Sequence, residues 1–257
     1  MSRTLDVTTS VLASQLRGWR GSMVQKPARK QPEQPLQLYE FEASPYCRLV
    51  RERLTELDLD VMIYPCPQGG KRFRPTVKKL GGKQQYPFMV DPNTGTSLYE
   101  SYDIIRYLNE TYEGKARNPT GLRRKLAVGM GLAATLSRAM LGLRGFKART
   151  SNSPEKPLEL YSFEASPFSR LVREVLCELE LPYLLHSTGK ARMSDIGPPE
   201  MRDKIFKAPK GTSRNRKFLE EHTGQVQVPY LIDPNTDVEM YESAKIIAYL
   251  ENVYAAK

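Results

Sequence analysis

The same passage occurs twice in this chain, and that repetition limits its fold more than any other feature. Leu36–Leu59 reads LQLYEFEASPYCRLVRERLTELDL and Leu158–Leu181 reads LELYSFEASPFSRLVREVLCELEL, with 17 of 24 positions identical at an offset of 122. A second match follows at an offset of 142, where Tyr86–Tyr112 pairs with Val228–Tyr254 and 13 of 27 positions agree. Two such matches in the same order are the mark of an internal duplication. The change of offset puts about twenty extra residues between the blocks of the second copy. The 257 residues therefore divide into two small domains and their connections. The expected boundaries are a basic N-terminal helix and tether over 1–35, a first domain over 36–113, a basic helical connector over 114–157, and a second domain over 158–257 with a basic insertion at about 189–217.

The local signals read alike in both copies. LQLYEF alternates apolar and polar residues and ends at Ser44-Pro45, so it predicts a short strand. Ser44 then suits a helix N-cap and Pro45 the first helical position. Cys47, Val50, Leu54 and Leu57 recur at helical spacing, as do Ser169, Val172, Leu176 and Leu179. DLDVMIY predicts a second strand, YPFMVD a third, and the DPNTG turn leads to a hairpin partner, TSLYE. Glu100-Ser101 opens a last helix. The order is β-α-β, a loosely defined middle, then β-β-α. Upstream, Val11–Gly21 resembles Ala134–Gly145, so the repeated unit includes a leading helix and a tether.

Composition sharpens this by exclusion. With 40% hydrophobic and 26% charged residues the chain is too apolar for wholesale disorder. No run of 18 apolar residues is present to span a membrane. Three cysteines make no disulfide framework and, with only His186 and His222, no metal-ligand spacing. The formal charge of +10 invites a polyanion as partner, but its distribution matters more. Residues 1–35 carry +4, 113–157 carry +8 and 189–217 carry +6, whereas 36–112 is neutral and the rest of the second copy carries −8. The excess lies in the connecting segments. Few aromatics stand among these cations, so no nucleic acid is expected. The helical segment Leu122–Gly145 either packs on the domains or lies on a protein partner or an anionic membrane surface. Taken alone, the first 32 residues are Arg-bearing and acid-poor like a transit peptide, but their near-copy in mid-chain argues for a structural segment. The expected location is cytoplasmic, with a plastid or other organelle as the alternative should the segment be a transit peptide.

Strand, S-P-Y-C at a helix start, a proline opening the third strand, and Glu-Ser opening a helix together resemble the thioredoxin-like N-terminal domain of glutathione S-transferases, and equally glutaredoxins. The resemblance covers both repeats. It implies an α/β fold of two tandem thioredoxin-like domains, each a four-stranded mixed sheet flanked by helices. It implies glutathione as ligand, cis peptide bonds at Tyr86-Pro87 and Val228-Pro229 whose leading residues pair with the cysteinyl part, and receipt of the γ-glutamyl end by Glu100 and Ser101 and by Glu242 and Ser243. A helix N-terminus with free N–H groups and a hydroxyl suits a carboxylate.

The chemistry departs from the pattern. The first cysteine of a glutaredoxin C-P-Y-C is replaced by Ser44 in one copy and Ser166 in the other, and the second survives only as Cys47. Two-thiol exchange through this motif is therefore impossible. Some glutathione transferases use a serine at this place to hold the glutathione thiolate, which Ser44 and Ser166 could do; the bland alternative is an N-cap alone. Cys47 is either a packed thiol or one activated by the helix N-terminus. Cys66 stands near Lys71, Arg72 and Arg74, and Cys177 on a helix stripe. The long helical domain of a full glutathione transferase has no counterpart between the copies. The expectation is a glutathione-binding protein with transferase-like or thiol-transfer activity through Ser44 and Cys47. The alternative is a non-catalytic binding module. A homodimer is a further possible assembly.

Overall fold

The computed structural model describes residues 3–115, 121–139, 142–192, 195 and 213–256. A leading helix α1 (Arg3–Leu16) precedes β1 (Leu36–Glu40), α2 (Pro45–Glu56), β2 (Val61–Pro65), α3 (Arg74–Gly81), β3 (Phe88–Asp91), β4 (Thr96–Tyr99) and α4 (Ser101–Leu108), which runs on as a π-helical turn, Asn109–Glu113. The second copy repeats this as α5 (Gly121–Ala139), β5 (Leu158–Ser162), α6 (Pro167–Glu178), β6 (Tyr183–Ser187), α7 (Arg214–Thr223), β7 (Tyr230–Asp233), β8 (Val238–Tyr241) and α8 (Ser243–Tyr254). The middle that patterning left undefined is α3 in one copy and α7 in the other. Arg214–Lys217, assigned to the insertion by sequence, opens α7; the part of the insertion at 193–194 and 196–212 lies outside the described residues.

Both copies have the expected mixed sheet: β1 pairs parallel with β2 and antiparallel with β3, and β3 antiparallel with β4. The second copy follows the same scheme. The two sheets are not separate. β2 pairs antiparallel with β6, giving one eight-stranded sheet of order β4-β3-β1-β2-β6-β5-β7-β8. Met62 faces Leu184 at the seam. These residues occupy the same position in the two copies, so an approximate twofold passes between them. Pairing hides the edge that each four-stranded sheet would otherwise present. The apolar core is continuous across the seam, from Leu36, Leu54 and Ile104 to Leu158, Leu176 and Ile246.

The leading helices exchange places. α1 packs on α6 of the second copy, and α5 packs on α2 of the first. Ser10 Oγ and Ser14 Oγ donate to the carbonyls of Pro167 and Ala165 at 2.8 and 2.9 Å. Thr135 Oγ1 donates to the Ala43 carbonyl at 3.0 Å. Each tether then passes over the far half before returning to its own: Gly21 O accepts from Ala165 N, and Gly145 O from Ala43 N. Both glycines have positive φ, +73° and +70°. A Cβ on Gly21 would lie 2.8 Å from Glu164 Cβ, and one on Gly145 2.9 Å from Glu42 Cβ. Only glycine fits such a crossing. Residues 3–16 thus pack on both α5 and the second copy's α6.

Candidate functional site

Ser44 and Ser166 sit where sequence put them, at the N-caps of α2 and α6. Ser44 Oγ accepts from Cys47 N at 3.2 Å. Ser166 Oγ accepts from Ser169 N at 3.3 Å and from the Ser169 hydroxyl at 2.8 Å. Both serines are buried, 2% and 3% exposed. A hydroxyl that accepts in this way keeps its own proton for donation.

The three cysteines are buried. Burial pushes the Cys47 thiol up to about 12, Glu40 adding to the effect while Ser44 opposes it. At neutral pH it stays a thiol, whatever the helix N-terminus contributes. Burial likewise raises Cys66 and Cys177. At Cys66 burial outweighs the lowering by Arg74, whose guanidinium donates to the Cys66 and Pro67 carbonyls at 3.1 Å and lies over the Tyr86 ring.

Tyr86-Pro87 and Val228-Pro229 are cis. Glu100 and Glu242 hold the N-cap positions of α4 and α8 with φ of +64° and +73°. That region costs a non-glycine residue energy and persists only where the surroundings over-determine it. In each copy a glutamine supplies part of that restraint. Gln85 Nε2 donates to Glu100 Oε1, and Gln227 Nε2 to Glu242 Oε1 at 2.8 Å. The pair draws together the cis-proline loop and the Glu-Ser helix start. Sequence reasoning missed both glutamines. The signal was present, since each stands two residues before its cis proline, at the offset of 142.

The two sites differ in what covers them. In the first copy, Phe41 packs edge-on against Tyr86 and against Phe146, which the second tether delivers. Ala127 and Val128 of α5 fill the groove beside Leu49, Tyr102 and Ile105. In the second copy, Val228 replaces Tyr86. Ser22 replaces Phe146, and its carbonyl accepts from Lys190 N as that of Phe146 accepts from Gln68 N. A cavity of about 820 Å³ opens along Gly18–Gln25 and Lys190. The Lys190 ammonium lies 5.4 Å from the centre of the Phe163 ring. A second cavity, about 360 Å³, lies between α6 and α8 and reaches Ser243, Arg3 and Arg144. Its acids are engaged: Glu174 and Asp6 with Arg138, Glu178 and Glu251 with Arg149. A volume of several hundred Å³ with a few polar groups is typical of a small-molecule site. No group of His, Cys, Asp and Glu among the described residues could hold a metal ion, and no described helix is long and apolar enough to cross a membrane.

Comparison with known proteins bears on both halves. The family described as "Glutathione S-transferase, N-terminal domain" matches residues 38–116 and again 160–257. No curated protein matches the chain significantly. Among solved structures, a glutathione transferase of Bombyx mori is 34% identical over 32% of this chain and 38% of its own, with a TM-score of 0.27. A delta-class glutathione transferase of Nilaparvata lugens is 29% identical over 30% and 36%, TM-score 0.25. A trimeric glutathione transferase of Leishmania aligns over 87% of this chain and 68% of its own at 12% identity, TM-score 0.28. The chain thus spans less than two-fifths of the length of the insect enzymes it matches.

Proposed function

We infer, from a chain that belongs to the glutathione S-transferase N-terminal domain family in both its halves, that it binds glutathione and does so in the second copy. The observation that carries this reading is the contrast between the covers. The same cis-proline and Glu-Ser framework is flanked by Phe41, Tyr86 and Phe146 in one copy, whereas in the other Val228 and Ser22 stand in place of Tyr86 and Phe146 and a cavity reaches Ser243. Val228 and Pro229 would hold the cysteinyl backbone. Glu242 and Ser243 would take the γ-glutamyl end, with Arg3 and Arg144 facing the same cavity. Lys190 supplies positive charge on the other side, which favours a tripeptide carrying a net charge of about −1. Tyr86, Pro87, Glu100 and Ser101 are the same framework in the first copy, where Ala127 and Val128 of α5 occupy the groove beside Tyr102.

The chemistry consistent with these residues is conjugation by the ligand's own sulfur. The Ser166 hydroxyl accepts from Ser169 and donates a hydrogen bond to the glutathione thiolate, which stays deprotonated and is the nucleophile. Cys47, protonated and packed, takes no part, and Ser44 serves as an N-cap. A second reading, binding without turnover, is favoured by the burial of Ser166. Calorimetric titration with millimolar glutathione tests the first claim. Arg144→Glu and Ser243→Ala are expected to weaken binding about tenfold, and Ser101→Ala to leave it unchanged. Absence of heat at millimolar ligand overturns the glutathione reading, and a loss with Ser101→Ala moves the site to the first copy. Ser166→Ala then separates catalysis from binding: transferase turnover falls while affinity holds, or there is no turnover to lose.

A further inference from the structure

The leading helices are built inside out. On α5, the residues turned to the protein are small: Ala127 and Val128 meet α2 and α4, Gly131 meets Pro45, and Ala134 is buried. The large apolar residues face solvent, Leu122 at 73% exposure and Leu136 at 63%, with Leu126, Met130 and Leu132 between them. On α1, Ser10, Ala13 and Ser14 are buried while Leu5 and Leu12 are exposed. The two helices pack on each other and on α2 and α6, whose own apolar sides enter the core. They form an outer layer in which α5 carries an apolar ridge from Leu122 to Leu136 and α1 adds Leu5 and Leu12. A contiguous apolar surface of this kind on a folded protein marks an interaction site.

Charge selects the occupant. α5 begins with Arg123, Arg124 and Lys125 and contains no acidic residue. All three are exposed, Arg124 with its guanidinium over the Tyr102 ring. Three cations at the positive end of a helix dipole are unfavourable unless an anion faces them. Asp6, the acid of α1, is drawn to Arg138 at 3.6 Å. The segments carrying the ridge hold +4 and +8, while the domains beneath are neutral or acidic. A second copy docked twofold on this ridge would set the same cations against one another. A bilayer surface needs no matching shape. It takes up large, flexible Leu and Met side chains and pairs the flanking cations with phosphates.

We propose that the outer face of the α1–α5 pair docks on the surface of an anionic lipid bilayer, lying along it without crossing. This does not depend on the glutathione reading. The test is co-sedimentation of the full chain with vesicles of phosphatidylcholine alone or mixed equally with phosphatidylglycerol. The chain is expected to sediment with the anionic vesicles and to be about tenfold weaker on neutral ones or at about 0.5 M salt. Leu126→Glu, Met130→Glu and Leu136→Glu together, at exposed positions, abolish binding while circular dichroism stays unchanged. Arg123→Glu with Lys125→Glu weakens it without touching the apolar ridge. A chain that remains in the supernatant with anionic vesicles overturns the proposal, as does a triple variant that binds undiminished. A concentration-dependent dimer that the triple variant abolishes assigns the ridge to a second copy and overturns it too.

Discussion

Arg48 and Arg170 hold the same position in the two copies, and a single hydroxyl separates their surroundings. The Arg170 guanidinium reaches Ser10 Oγ at 3.0 Å and Ser14 Oγ at 2.9 Å. In the exchanged packing, Gly131 lies against Pro45 as Ser10 lies against Pro167. With no hydroxyl there, Arg48 keeps Nη1 buried without a hydrogen-bond partner beside a void of about 10 Å³, whereas Nε lacks one in both arginines. Burial holds its pKa below the usual value. Gly131→Ser is therefore expected to stabilise the protein by about 1 kcal/mol, through a new partner and better helix propensity. That is a rise of roughly 2 °C in a thermal melt. Its Cβ comes 3.2 Å from Pro45 Cβ, a contact that a small shift of the ring relieves. Ser10→Gly should lower the melt by about as much or more. Nearby, Glu164 takes Arg51 at 2.8 Å and Arg173 at 3.1 Å, all three side chains being almost wholly buried. Glu164→Gln removes one carboxylate from this buried cluster, leaving Glu40 and Glu42 to face Arg51 and Arg173, and is expected to cost about 3 kcal/mol, read as a lower urea midpoint. In the sequence these charges look like a solvated helix face. The sign that they were not is their exact repetition, Glu42, Arg48, Arg51 and Glu52 returning as Glu164, Arg170, Arg173 and Glu174.

Elements were legible where periodicity was strong. β1, α2, β3, β4 and α4 follow the alternation, the Ser-Pro start and the DPNTG turn, and they recur in the second copy. α3 and α7 were not legible, because they are short, share no sequence and bury few apolar residues, Val77 in one and Leu219 in the other. α7 is instead tied down by polar contacts to the seam. Arg214 and Asn215 both bond Asp60, at 2.9 and 2.8 Å. Asp60 also meets His186 Nδ1 at 3.1 Å, and Glu159 meets the other ring nitrogen at 2.8 Å. Burial opposes a charge on His186, but the two carboxylates outweigh it and hold its pKa at about 9. A histidine raised above its ordinary value contributes stability that is complete below about pH 6.5 and lost as pH climbs through about 9. The loss should be on the order of 2 kcal/mol after solvent screening. The urea midpoint is expected to fall between neutral pH and pH values above that range. His186→Tyr, which installs the residue that β2 carries as Tyr64, should flatten the fall. A slope unchanged by that substitution would mean that the titration lies elsewhere.

At the scale of the molecule, the duplication announced two domains, yet the copies share one sheet. Nothing in Val61, Met62 or Ile63 distinguishes a strand that joins a twin from one that ends a sheet, since apolar residues occur in both. Only the pairing of Met62 with Leu184 reveals the seam. Three independent links cross it: the β2–β6 ladder, the Arg51–Glu164 and Arg173–Glu42 pairs, and the exchanged helices whose Arg17 and Arg138 hold Glu52 and Glu174. Separating the halves would strip the cover from an edge strand and leave several buried ions without partners, so neither half has reason to persist once the other opens. The two copies are accordingly expected to unfold in one transition. Calorimetric and van't Hoff enthalpies should agree, and far-ultraviolet and aromatic signals should melt together. Residues 36–115 expressed alone should not behave as a stable monomer. Because an approximate twofold relates the two sides of the seam, that fragment can cover β2 best with β2 of another molecule, and sedimentation should find it as a dimer or an aggregate. A monomeric fragment with a cooperative melt, or two resolved transitions in the whole chain, would show that the copies are joined but not interdependent.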